Sequence, residues 1–195
     1  MEDLVAIELY KFMKIDKNIF SNLIKIIPTK IADNRGDFSR IFCQEQLQTI
    51  LDKRTIKQIN FSKTKIKGSV RGLHYQKPPN CELKIVYCLK GVIFDVIVDV
   101  RKGSDTFLNW HSEELNSKNL NAIIIPEGFA HGFQTLSDNV EILYIHTASY
   151  VKSKEAALNY NDPKLDISWP LKVSEISNKD LTHPLIQSSF RGIDI

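Results

Sequence analysis

The chain has 195 residues, 25% charged and 43% hydrophobic, proportions of an ordinary soluble globular chain long enough to bury a substantial core. Its net charge of +3 comes from scattered lysines and arginines, which excludes the basic stripe of a nucleic-acid binder while leaving single arginines for a small anion. Three cysteines, Cys43, Cys81 and Cys88, with no C-x-x-C spacing exclude a disulfide framework and a zinc ribbon and fit a reducing, cytoplasmic setting.

In chain order, the first residues carry Glu2, Asp3 and Glu8 and no basic region, so they do not read as a secretion signal. No apolar run reaches the roughly 18 residues that span a bilayer, so no membrane partner is expected. The β-branched run from Leu23 to Ile31 predicts a strand, and 43–53 a short helix. Residues 55–66 alternate Ile56, Gln58, Asn60 and Ser62 against Lys57, Ile59 and Phe61, the pattern of a half-buried strand. The run 83–100 predicts two strands joined by a hairpin-like turn at Lys90-Gly91. Further strands are expected in 121–136 and 140–151, separated by Ser137-Asp138-Asn139. One helical turn after Tyr150 and a short helix near the end complete the reading. Many short strands punctuated by Gly, Pro, Asn and Asp predict an all-β sandwich or jelly roll with a few short peripheral helices. No repeat or linker interrupts the chain, so one domain over 1–195 is expected.

The chemistry concentrates in two stretches. On a strand, residues i and i+2 share a face, so "VRGLHYQ" sets Gly72, His74 and Gln76 on one side and Arg71, Leu73 and Tyr75 on the other. "PEGFAHGF" places Pro126, Gly128 and His131 in a P-x-G-x-x-H spacing. Together with Glu82 and Gly91 these resemble the two half-motifs of the cupin superfamily. Metal-binding cupins carry a second histidine where Gln76 stands here. A set of His74, Glu82 and His131 is therefore a poor divalent-metal site, and no metal is expected.

The resemblance narrows further. "DNRGDF", "QINFSKT", "RGLHYQKPP", "IPEGFAHGF", "EILYIHTASY", "NDPKLDISWP" and "SNKD" occur in the order found in dTDP-4-dehydrorhamnose 3,5-epimerases, over roughly residues 12 to 188. That resemblance implies cofactor-independent inversion at C3 and C5 of a nucleotide-diphosphate 4-keto-6-deoxy sugar in deoxysugar synthesis. It implies His74 as the base, Asp180 as the holder of its tautomer, Lys84 beside the C4 oxygen and Tyr144 as the acid. Arg35 and Arg71 match diphosphate contacts, Phe38 an aromatic near the nucleobase, and Gln58 and Asn60 polar residues around the sugar or its nucleotide. His131 and Tyr150 match residues flanking the hexose. The strand carrying Arg35 and Phe38 would reach into a neighbouring subunit, implying a homodimer. Arg40 stands where the family reads glutamate, a charge reversal that leaves the base open among thymine, cytosine and guanine. Residues 1–11 precede the family's usual start as an extension.

Three other readings keep the fold. The chain would epimerise C3 alone, move the keto group between C3 and C4, or bind sugar nucleotides without turning them over. His111, His146 and His183 are expected to be surface or supporting residues, and Asp99 a structural one.

Overall fold

The computed structural model describes residues 12–17 and 19–195; the N-terminal extension lies outside the described residues. Its architecture is an antiparallel β-sandwich. One sheet has six strands in the order β1 (Met13–Asp16), β2 (Ile24–Pro28), β10 (Ala122–Ile125), β7 (Lys84–Lys90), β12 (Val140–His146) and β5 (Gln58–Thr64). The other has five, β13 (Glu155–Ala157), β6 (Val70–Gln76), β11 (Phe129–Thr135), β8 (Val92–Asp99) and β9 (Trp110–Asn116). A separate hairpin pairs β3 (Lys30–Asp33) with β4 (Gly36–Ser39). Among the described residues, two α-helices of four residues each, α1 (Gln48–Leu51) and α2 (Asn178–Leu181), lie at the periphery.

Between the sheets, Val86, Cys88, Ile123 and Ile142 of the first meet Ile93, Ile97, Phe129 and Phe133 of the second. The outer faces are covered too. Ile85, Tyr87 and Ile124 pack under Leu47 and Leu51, while Val96, Val98 and Ala130 pack under Leu158, Leu165 and Ile193. Central strands are thus buried on both faces, which is why "KIVYCL" and "AIII" read as unbroken apolar runs instead of alternating ones.

The break at Lys90-Gly91 is real, but it is not a hairpin. Strand β7 pairs with β10 and β12, and β8 pairs with β11 and β9, so the chain changes sheets at Gly91. Gly91 has φ +82°, a conformation that favours a residue without Cβ. The run 121–136 likewise divides between the sheets as β10 and β11. Of the helix expected over 43–53, only α1 forms, preceded by turns.

Strand β6 carries the departure that matters for the site. His131 pairs with His74 and Phe133 with Arg71, so β6 holds one more residue than β11 between those two pairings. Such a bulge reverses the alternation. Arg71, expected on the face opposite His74, therefore lines the same cavity. The two backbones touch there: a Cβ on Gly72 would lie 2.4 Å from the Gly132 Cα, and one on Gly132 would lie 2.6 Å from the Arg71 carbonyl oxygen. Gly132→Ala is expected to cost about 1–3 kcal/mol by overpacking backbone against backbone. Urea unfolding measures it, and an unchanged midpoint would show that the ladder has slack at this point.

Candidate active site

The polar end of the sandwich interior opens as a cavity of about 900 Å³, floored by both sheets and edged by the segment around α2. Strand β5 turns Gln58, Asn60 and Ser62 into it, as alternation predicts, and leaves Ile59 largely exposed. Strands β6, β7, β11 and β12 contribute His74, Lys84, His131 and Tyr144, and α2 contributes Asp180.

His74 and Asp180 form the first pair, with Nε2 2.7 Å from Oδ1. The carboxylate is 6% exposed and the imidazole 36%, so the ring faces the cavity from a buried anchor. The Gly72 N–H donates to Asp180 Oδ2 over 3.4 Å, and the Asp180 N–H donates to the capping Ser177 hydroxyl. Burial works to raise the Asp180 carboxyl, but the hydrogen bond and charge of His74, with the Gly72 and Ser177 bonds, hold it below the usual range.

His131 stands directly across the ladder from His74 and is 5% exposed. Its Nε2 lies 2.7 Å from Oδ1 of the fully buried Asp95, so its anchor is a carboxylate. The edge of His131 meets Tyr144, centroids 6.3 Å apart. Burial pushes the Tyr144 phenol up to about 12, keeping it protonated at neutral pH, and its hydroxyl lies 3.4 Å from Ser62 Oγ.

Lys84 is buried, and its ammonium is matched by Glu82 at 3.0 Å. Glu82 also accepts from the Gln76 amide and faces His146 Nδ1 at 3.7 Å. Burial raises the Glu82 carboxyl, yet His146, Lys84 and Gln76 outweigh it and bring it to about 2. His74, Glu82 and His131 consequently do not converge as ligands, since each has its own partner.

Of the remaining expected residues, Arg71 sits exposed at the rim, donating from Nε to Thr64 Oγ1 over 2.9 Å. The Tyr150 N–H donates to Gln58 Oε1, and the Tyr150 hydroxyl donates to Glu155. Arg35, Phe38 and Arg40 are not brought to this cavity. Arg35 and Phe38 lie exposed on the β3–β4 hairpin, Arg35 against Asp33, and the Arg40 guanidinium stacks 4.1 Å over the Phe12 ring. Asp99 is consumed by Arg101, Ser104 and Thr106, a structural cluster. His146, expected to be a surface or supporting residue, is part of the cavity wall. It stacks on Tyr144 with an interplanar angle of 27°, and has Asn60 Nδ2 3.4 Å from its Nε2. The signal was present, because residues 144 and 146 share a strand face.

With this geometry in view, comparison with known proteins decides the relationship. The family model for dTDP-4-dehydrorhamnose 3,5-epimerase matches residues 18–188. The chain belongs to that family. The Salmonella typhimurium dTDP-4-dehydrorhamnose 3,5-epimerase is 38% identical over 179 residues, 91% of this chain and 97% of the relative. The crystal structure of the Legionella pneumophila dTDP-6-deoxy-D-glucose-3,5-epimerase in complex with dTDP-4-keto-L-rhamnose superposes with TM-score 0.85 at 37% identity, covering 93% of this chain and 98% of that one. The Bacillus anthracis dTDP-4-dehydrorhamnose 3,5-epimerase with TDP and PPi bound gives TM-score 0.85 at 34% identity, covering 89% and 99%. The family is one of isomerases on the cupin fold, as the motifs implied. Among the described residues, no helix is long and apolar enough to cross a membrane.

The Glu82 pair has a measurable consequence. Its folded pKa of about 2 lies below the ordinary 4.5, so the stability it contributes is fully present above pH 4.5 and is lost as pH falls toward 2. The contribution is about 3 kcal/mol at most. Glu82→Gln, which leaves Lys84 without its carboxylate, is expected to lower stability at neutral pH and flatten the acid limb across that window. Urea unfolding at several pH values tests it; an acid limb unaltered by the substitution would assign it to other carboxylates.

Proposed function

We propose that this chain inverts C3 and C5 of a deoxythymidine-diphosphate 4-keto-6-deoxy sugar through enolates, in cytoplasmic deoxysugar synthesis for surface polysaccharide. The observation that carries the reading is one cavity holding an anchored imidazole, His74, together with a protonated phenol, Tyr144, and a buried ammonium, Lys84.

The C4 ketone acidifies the hydrogens on both neighbouring carbons. His74 removes such a proton, because an imidazole works as a base near neutral pH with little tuning. Asp180 fixes the ring's tautomer and balances the imidazolium that forms. Lys84, held by Glu82, lies by the C4 oxygen and stabilises the enolate's negative charge. Tyr144, which cannot ionise at neutral pH, returns a proton from the opposite face. His131 and Tyr150 flank the hexose, Gln58 and Asn60 position the sugar or its nucleotide, and Arg71 receives the diphosphate at the rim. The route runs on proton transfers alone, with no cofactor.

The nucleobase end is supplied by a second copy. Arg35 and Phe38 lie on a hairpin outside their own cavity, with Phe38 57% exposed, and strand β5 presents an unpaired edge bearing exposed Ile59 and Phe61. In a homodimer the hairpin of one subunit closes the cavity of the other. Sedimentation is expected to give twice the chain mass, and Phe38→Ala to raise KM severalfold with kcat nearly kept; a monomer with full activity would refute the shared site.

In deuterated water with the dTDP-linked 4-keto sugar, label is expected at both C3 and C5, read by NMR and mass. His74→Gln should cut exchange at both by about 10²–10⁴-fold while leaving nucleotide binding largely intact. Near-normal exchange in that variant would remove His74 as the base, and label at C3 alone would reassign the chain as a single epimerase.

A further inference from the structure

We propose that His74, Asp180 and His183 form a site for a zinc-type divalent transition-metal ion, and that filling it silences the His74 base. One ligand atom from each residue lies within 4.8 Å of the others. Asp180 Oδ1 is the hinge of the set, 2.7 Å from His74 Nε2 and 3.9 Å from His183 Nε2.

Bond lengths make the fit concrete. Zinc binds imidazole nitrogen and carboxylate oxygen at about 2.0–2.2 Å, which places tetrahedral ligand atoms roughly 3.3–3.5 Å apart. The gap between His183 and Asp180 needs to close by about half an ångström, and the His74–Asp180 contact to open by about as much. The two rings meet edge to face at 6.4 Å, and rotating them is the movement the site requires. Two imidazoles and one carboxylate suit zinc or cobalt and reject magnesium and calcium, which favour all-oxygen shells. Two of the three residues, His74 and Asp180, line the cavity, which gives an ion an entry path and room for a water.

A second observation points the same way. Among the described residues, His183 Nε2 is a buried nitrogen with no hydrogen-bond partner, 3.9 Å from the already bonded Asp180 Oδ1. Such a group ordinarily finds a partner, and a cation between it and Asp180 would be one. The charge of Lys179 opposes a cation here, but its ammonium is paired with Glu155 at 2.6 Å.

Metal capture at Nε2 would break the His74–Asp180 hydrogen bond and move the ring proton from Nε2 to Nδ1. Nδ1, which must receive the sugar's proton while Nε2 is held by Asp180, would then already carry one. The metal-free protein is then the active form, and zinc an inhibitor competing with the keto sugar. The binding half of this inference stands by itself; the silencing half rests on the epimerase reading.

Calorimetry with zinc alone, on the full chain stripped of metal, is expected to give one ion per chain. Magnesium should give none. His183→Asn should weaken zinc binding by on the order of tenfold or more, and change metal-free exchange by less than about twofold. His183→Gln serves if the asparagine variant folds poorly, and cobalt absorbance provides a second readout of the same ligand set. Equal zinc binding by the wild-type chain and the variant would overturn the site. His183-dependent binding that leaves exchange running at saturation would overturn the silencing. A chain that exchanges no 4-keto sugar in the absence of metal would count against the epimerase reading, and the calorimetry would still judge the site.

Discussion

The polar cavity depends on a closure between residues far apart in the chain. Asp180 lies 106 positions beyond His74, and it reaches that imidazole only because the C-terminal segment is laced back across the five-stranded sheet. The lacing uses backbone groups: the Val70 N–H donates to the Glu175 carbonyl, and the Ser174 N–H to the Gly68 carbonyl. Gln134 extends it by bonding both the carbonyl and the N–H of Leu171. A carboxylate as buried as Asp180 survives as an anion only with donors in place, and two converge on it, from His74 and the Gly72 N–H, while Ser177 caps its helix. Fold and site are joined at this seam.

The same logic repeats around the cavity. His131 has Asp95, Lys84 has Glu82, and His146 leans on that same Glu82. An isolated charge at these depths would be costly, and each of these carboxylates has a partner contributed by a neighbouring strand or loop. The pairs also fix ring and ammonium orientations before any ligand arrives. Fixed dipoles and charges are what stabilise charge that develops during a reaction, because they need not reorganise as it forms.

Much of this was legible in the sequence. Alternation in 55–66 correctly put Gln58, Asn60 and Ser62 on one face, and the spaced glycines, prolines and histidines identified the jelly roll. What escaped depended on non-local structure. The break at Gly91 looks local, but only strand pairing reveals that the chain crosses between sheets there. The bulge opposite Gly132 reverses the parity that alternation assigns, so Arg71 moved to the His74 side. The helical pattern of 43–53 was mostly the apolar face of a covering segment, with Leu47 and Leu51 packed on the six-stranded sheet. The role of His146 followed from parity that was already available, but its partner Glu82 arrives from a different part of the chain.

Charge pairing inside the cavity has a consequence for how an anion meets this protein. His74, His131 and Lys84 are each matched by a carboxylate, so the floor offers little net attraction at long range. Arg71 differs, since its hydrogen bonds go to a hydroxyl and a backbone carbonyl, and its charge stands open at the rim. Electrostatic steering therefore acts at the mouth, where ions in solution screen it, while events on the floor proceed in a medium that salt scarcely reaches. Capture and chemistry in this molecule answer to different dielectric worlds.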